Sequence, residues 1–115
     1  MKKRDYKDYL QDIVDSVDDI KSFTENMTFE DFATDRKTIN AVIRSIEVIG
    51  EATKRIPKSI RGKYPSIPWK KMAGMRDKLI HEYSGVDVGI LWKTVKEDIP
   101  SLKPLIWDAL KELSE

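Results

Sequence analysis

Three observations predict an all-α fold, an antiparallel bundle of five to six helices. Apolar residues recur at steps of three and four along most of the chain, the period of a helix with one buried face. Residues suited to caps and breaks divide that pattern into helical lengths. No stretch alternates apolar and polar residues as a half-buried strand would, and no internal repeat or low-complexity segment appears.

The first helix is expected to carry Tyr6, Leu10, Ile13, Val17 and Ile20 on one stripe over about twenty residues. Its aspartates lie largely off that stripe. Phe29 to Ala33 reads as a short second helix, with Thr28 as N-cap and Asp31 three residues on. Asp35 is placed to cap a third helix over roughly residues 36–56. Its main stripe is Ile39, Val42, Ile43, Ile46 and Ile49, flanked by Ala41, Ser45, Val48 and Ala52. A helix apolar on more than one face belongs at the centre of a bundle or against a second subunit. Gly50 inside it costs about 1 kcal/mol relative to alanine, so a close neighbour is expected there. Pro57, Gly62, Pro65 and Pro68 predict a loop over residues 57–68. A fourth helix is expected from Trp69 to about Tyr83, ended by Gly85 as a left-handed cap. Asp87 is the expected cap of a fifth helix through Leu91, Trp92 and Val95, ended or kinked at Pro100. Ser101 is placed to cap the last helix, with Pro104 still in its first turn. Trp107 falls off that helix's stripe.

Composition narrows the function. At 115 residues the chain reads as one helical domain, residues 1–115, able to bury roughly two-thirds of its unfolded surface. Apolar residues at 40% and charged residues at 36% describe a globular chain rather than a disordered one. With no cysteine there is no disulfide, thiol nucleophile or sulfur-based zinc site, and a single histidine, His81, excludes multi-histidine metal sites. No metal and no cofactor are expected. Apolar runs are too short to span a membrane, and the basic N-terminus lacks the apolar segment of a signal peptide. A bacterial or archaeal-type cytoplasm is the expected compartment. The net charge of +1 conceals an uneven distribution, because residues 54–82 hold nine bases against two acids. That is the footprint a polyanion would want, although an unevenly charged solvated surface accounts for the charge alone.

The informative stretch is Pro68-Trp69-Lys70-Lys71-Met72-Ala73-Gly74-Met75-Arg76-Asp77-Lys78-Leu79-Ile80-His81-Glu82-Tyr83. On one continuous helix Arg76 shares a face with Trp69, Met72, Leu79 and Tyr83, the tyrosine lying about 20° away, while His81 lies about 140° round. Either Arg76 reaches across, or the helix end is distorted, or a second chain completes the site. Asp77, four residues before His81, is placed to orient its imidazole. A structural reading stands beside this one: Arg76 paired to Glu47 or Glu51, His81 serving the helix C-terminus, and Tyr83 a core ring.

Arg76-x4-His81-x-Tyr83 resembles the R-x4-H-x-Y motif of the HEPN superfamily (higher eukaryotes and prokaryotes nucleotide-binding domains). Asn40-Ala41-Val42-Ile43-Arg44-x-Ile46-Glu47-Val48-Ile49-Gly50-Glu51-Ala52 resembles the central helix of its HepT-like branch. Ile67-Pro68-Trp69-x-x-Met72-x-Gly74-Met75-Arg76-Asp77 and the segment from Val86 to Pro100 resemble that branch's following signatures. The likeness covers nearly the whole chain, residues 1–35 being the least diagnostic, with no departure at the motif positions. It implies a HEPN-like bundle and a toxin ribonuclease of a toxin–antitoxin pair. It also implies a minimal nucleotidyltransferase antitoxin that adenylylates Tyr83, and a two-fold homodimer that joins two motifs across a groove.

The residue chemistry agrees with metal-independent cleavage of RNA. RNA carries its own nucleophile, the 2′-hydroxyl, and needs only proton removal, in-line positioning and charge stabilisation. An imidazole with an ordinary pKa of about 6.5 suits the proton transfer, here His81. A guanidinium fork suits the phosphate, here Arg76. Tyr83 is expected to bind phosphate or stack a base, and Lys70, Lys71 and Lys78 to hold the flanking backbone. The rival expectation is a non-catalytic module of the same fold that binds a nucleotide or a partner. No base-reading code is apparent, since all candidate contacts are to phosphate.

Overall fold

The computed structural model describes residues 3–81 and 85–115. Helices dominate: α1 (Tyr6–Thr24), α2 (Phe29–Ala33), α3 (Arg36–Lys54), α4 (Lys58–Lys63), α5 (Trp69–Ala73), α6 (Met75–Leu79), α7 (Val88–Lys93) and α8 (Leu102–Leu113). The two-residue strands β1 (Ile80–His81) and β2 (Gly85–Val86) pair antiparallel between α6 and α7. The all-α expectation holds, with this small strand pair as the addition that periodicity did not show.

α1 starts where Asp5 accepts from the amides of Lys7 and Asp8, while the Asp8 carboxylate accepts from the Asp5 amide. This reciprocal box satisfies donors the helix leaves unpaired. Leu10, Ile13, Val17 and Ile20 are buried as one stripe, and the helix gives way to Asn26, whose φ of 63° suits a side chain tolerant of the left-handed region. Thr28 and Asp31 form the same box at α2. Asp35 caps α3 by accepting from the Thr38 amide at 3.0 Å and the Thr38 hydroxyl at 2.7 Å. The bonds from Thr38 hold the Asp35 carboxyl below its ordinary pKa of 3.8.

α1 lies against both α3 and α8. Their facing stripes enclose a core that includes Leu10, Ile13, Val42, Ile46, Ile49 and Ile106, each no more than 1% exposed. Ser45 and Ala52, on the flanking stripe of α3, are also buried within this one chain. Gly50 has its close neighbour: a side chain there would meet the carbonyl oxygens of Ala73 at 3.5 Å and Met72 at 3.7 Å. The last turn of α5 therefore rests on the backbone of α3.

Three local expectations are corrected. Residues 57–68 are not wholly a loop, because α4 occupies Lys58–Lys63. Pro57 stands at its N-cap, where a missing amide hydrogen costs nothing. Tyr64, just past α4, donates its hydroxyl to Glu112 of α8 at 3.1 Å, and its hydroxyl pKa is raised, chiefly by burial and then by that bond. Ser101 precedes α8 but does not cap it, since its hydroxyl donates to the Asp98 carbonyl instead. The third correction is the motif helix itself. Asp87 caps α7 by accepting from the Ile90 amide, and the helix runs on as a π-helical turn, Thr94–Asp98, before Pro100.

Candidate active site

The expected continuous helix from Trp69 to Tyr83 is divided in two. α5 ends at Gly74, whose amide donates to the Lys70 carbonyl. α6 then makes little more than one turn before the chain becomes extended at Ile80. β1 pairs Ile80 with Val86 and His81 with Gly85. The pairing needs Gly85 with its φ of 78°, a conformation side chains disfavour. Gly85 thus serves the strand pair and does not cap a helix. The Asp87 amide donates to the Leu79 carbonyl at 3.2 Å and fastens the return strand to the end of α6. Met72, Met75 and Leu79 are buried beneath this segment.

The break changes the geometry of the motif. Arg76 and His81 are not borne on one helix: Arg76 is on α6 and the His81 backbone is in β1. The 140° separation assumed regular helix to residue 81. The helix end is therefore distorted, one of the three possibilities the sequence left open. The direction of the His81 side chain, the expected orienting contact from Asp77, and Tyr83 lie outside the described residues.

Arg76 is not a buried arginine in an apolar stripe. Its side chain is 49% exposed, and its Nε donates to Glu47 Oε2 on α3 at 3.3 Å, the Glu47 side chain being 34% exposed. A pair so open to water contributes at most about 1 kcal/mol to stability. Among the described residues this is the guanidinium's one hydrogen bond. Glu47 therefore steadies the stem side of the fork, and among the described residues the terminal nitrogens make no hydrogen bond.

Lys70, Lys71 and Lys78 do come together. They line one concave surface of about 1200 Å³, which also takes in Lys58 and Arg61 from α4. Lys71 is partly engaged, with its Nζ 3.0 Å from Asp98 Oδ1 on the π turn. Lys58 and Arg61 are site residues that spacing does not single out, because they fall in a segment whose Pro and Gly residues predict a loop. Their signal was present in the cluster of bases over residues 54–82. Among the described residues no three of His, Cys, Asp and Glu converge as metal ligands.

Fold and surface define a class, a small helical bundle that presents a cationic concavity and, outside its lining, a half-exposed arginine paired to Glu47. The comparisons are more specific. A family model described as "Ribonuclease HepT-like" matches residues 13–108. A protein of Thermococcus cleftensis named "Probable ribonuclease HepT" is 60% identical over 101 residues, covering 88% of this chain and 92% of the relative. "Putative RNase MJ0125" of Methanocaldococcus jannaschii is 52% identical over 115 residues, covering 100% of this chain and 99% of the relative. No solved structure matches the chain. The chain belongs to the HepT-like ribonuclease family.

Proposed function

We propose that this chain is an endoribonuclease that cleaves RNA without a metal ion, with Arg76 and His81 as its catalytic pair. The observation that carries the reading is the state of Arg76. It is half exposed, steadied at Nε by Glu47, and two-pronged toward any phosphate brought to α6. Family membership supports RNA as the substrate. In the reaction His81 removes the proton of a 2′-hydroxyl, and the freed oxygen attacks the adjacent phosphorus in line. The bond from phosphorus to the 5′-oxygen breaks, and that oxygen takes up a proton. Arg76 stabilises the charge gathering on the non-bridging oxygens. The products are a 2′,3′-cyclic phosphate and a 5′-hydroxyl.

The resemblance of the motif supports the remainder of the proposal. The chain is the toxin of a toxin–antitoxin pair in the cytoplasm, working as a homodimer in which two histidines serve as base and acid. A minimal nucleotidyltransferase antitoxin silences it by adenylylating Tyr83. The test incubates cellular RNA in EDTA with the purified chain and with His81→Ala, after mass measurement shows Tyr83 unmodified. Cleavage by the wild type alone is expected. Equal inertness overturns the reading and favours a non-catalytic nucleotide- or partner-binding module, whereas cleavage that appears only with added divalent metal overturns the metal-independent mechanism.

A further inference from the structure

We propose that the concavity between α4 and α5 is a second RNA-binding surface, an anchoring site for phosphates flanking the cleaved bond, with Lys58 and Arg61 as its decisive contacts. The inference rests on the ribonuclease reading and adds a site that the motif does not contain.

Five cations, Lys58, Arg61, Lys70, Lys71 and Lys78, line the concavity, and among the described residues no carboxylate does. Lysine is depleted at protein–protein interfaces, whereas cations without interspersed acids are the ordinary equipment for a phosphate backbone. The volume of about 1200 Å³ exceeds the usual range of small-molecule pockets, roughly 300–1,000 Å³, and suits a length of polymer. Its walls are fastened together. The Trp69 indole nitrogen on α5 donates to the carbonyls of Arg61 at 3.2 Å and Tyr64 at 3.1 Å, at the end of α4. The cations of both walls therefore hold a fixed relation, with little ordering left to do on binding.

Arg61 carries a second sign. Its Nε is shielded from solvent and has no hydrogen-bond partner among the described residues. An unmatched buried donor is a standing cost to the fold. A small rotation toward an oxyanion in the concavity would relieve it. Lys71 contributes less, because Asp98 already engages it.

The surface is distinct from the place where bonds break. Arg76 is not in its lining. Arg76 and Lys78 stand two residues apart on α6, so they point about 160° apart around its axis. An RNA strand seated on the lysines must pass around α6 to reach the Arg76 side. A longer strand has more phosphates to place on both surfaces at once, so the contribution of this surface is expected to grow with RNA length.

The test measures binding by fluorescence anisotropy in the full-length His81→Ala background, where RNA stays intact. Labelled single-stranded RNAs of about 4 and about 16 nucleotides span the usual site sizes. Adding Lys58→Gln and Arg61→Gln together is expected to weaken the longer RNA about tenfold near 0.1 M salt, and to lower its log–log salt slope by about 1.4, two single-strand phosphate contacts. The shorter RNA is expected to lose proportionately less. Lys58→Gln alone, expected to lower the slope by about 0.7, serves if the double variant unfolds, and Lys111→Gln, on α8, controls for its loss of a single charge. An unchanged slope and affinity for the longer RNA overturns the anchoring site while leaving the ribonuclease reading intact. Loss of polyglutamate binding with RNA binding unchanged also overturns it and assigns the surface to an acidic protein. If the parent binds no RNA of either length, the ribonuclease reading itself fails.

Discussion

The frame formed by α1, α3 and α8 and the segment from α5 to β2 are built on different principles. The frame helices are 19, 19 and 12 residues long. Each is stabilised by its own periodicity and by a facing stripe. The motif segment consists of two five-residue helices and two-residue strands, all too short to persist alone. It is held from outside, by α3 beneath Gly50, by the buried Met72, Met75 and Leu79, and by the bond from Asp87 back to Leu79. Stability is therefore concentrated in the frame, and the proposed chemistry falls in the segment laid upon it. Substitutions in the two regions are expected to separate accordingly.

The largest effect on folding is expected from Phe32→Ala, on α2, which stands with the frame as a buried packing position outside the motif segment. Phe32 is 0% exposed and its ring centroid lies 5.0 Å from that of Trp92, so α2 and α7 share it as an anchor. Truncation should cost about 3–5 kcal/mol, read as a lowered urea midpoint with an unchanged slope. Arg76→Gln is expected to do the reverse. It should lower cleavage about 100- to 1,000-fold while shifting stability by less than about 1 kcal/mol. A comparable loss of stability would make Arg76 a structural residue and erase the distinction between the regions.

Gly50 sharpens the comparison where the regions meet. The neighbours of an added methyl group would sit at 3.5 and 3.7 Å, ordinary contact distances. Gly50→Ala should thus be tolerated and gain up to about 1 kcal/mol from helix propensity, measured by thermal unfolding. Gly50→Leu should displace α5 and lower both stability and activity.

The smallest expected effect is the pH response of the α3 cap. The Asp35 pKa is lowered in the folded chain, so its contribution is present above the ordinary carboxylate pKa of 3.8 and is lost as pH falls through the lowered value. Asp35→Asn keeps a capping side chain but removes the titration. Urea midpoints from about pH 5 to pH 3 should fall more steeply for the wild type than for the variant. Parallel curves would remove Asp35 as a source of acid sensitivity.

Legibility in the sequence follows the same division. α1, α2 and α3 were readable because their caps (Thr28 and Asp35) and stripes are local signals. α4 was not, since Pro57 and Gly62 read as breakers and only a distant residue, Trp69, binds the carbonyls at its end. The split of the motif helix was equally hidden. Trp69, Met72 and Leu79 sustain an apolar stripe across Gly74, whereas the pairing of Ile80 and His81 with Val86 and Gly85 is decided by the return of the chain. Lys70, Lys71 and Lys78 were legible as a charge cluster, but that Lys58 and Arg61 join them depends on how α4 folds back beside α5.

The central claim is that the substrate supplies its own nucleophile to a site made by Arg76 and His81. The direct measurement replaces the ribose at a mapped cleavage position of an RNA oligonucleotide with 2′-deoxyribose. Cleavage at that bond should disappear while neighbouring ribose positions are still cut to 2′,3′-cyclic phosphate and 5′-hydroxyl ends. Continued cleavage at the deoxy position, or 5′-phosphate ends from the unmodified RNA, would contradict it.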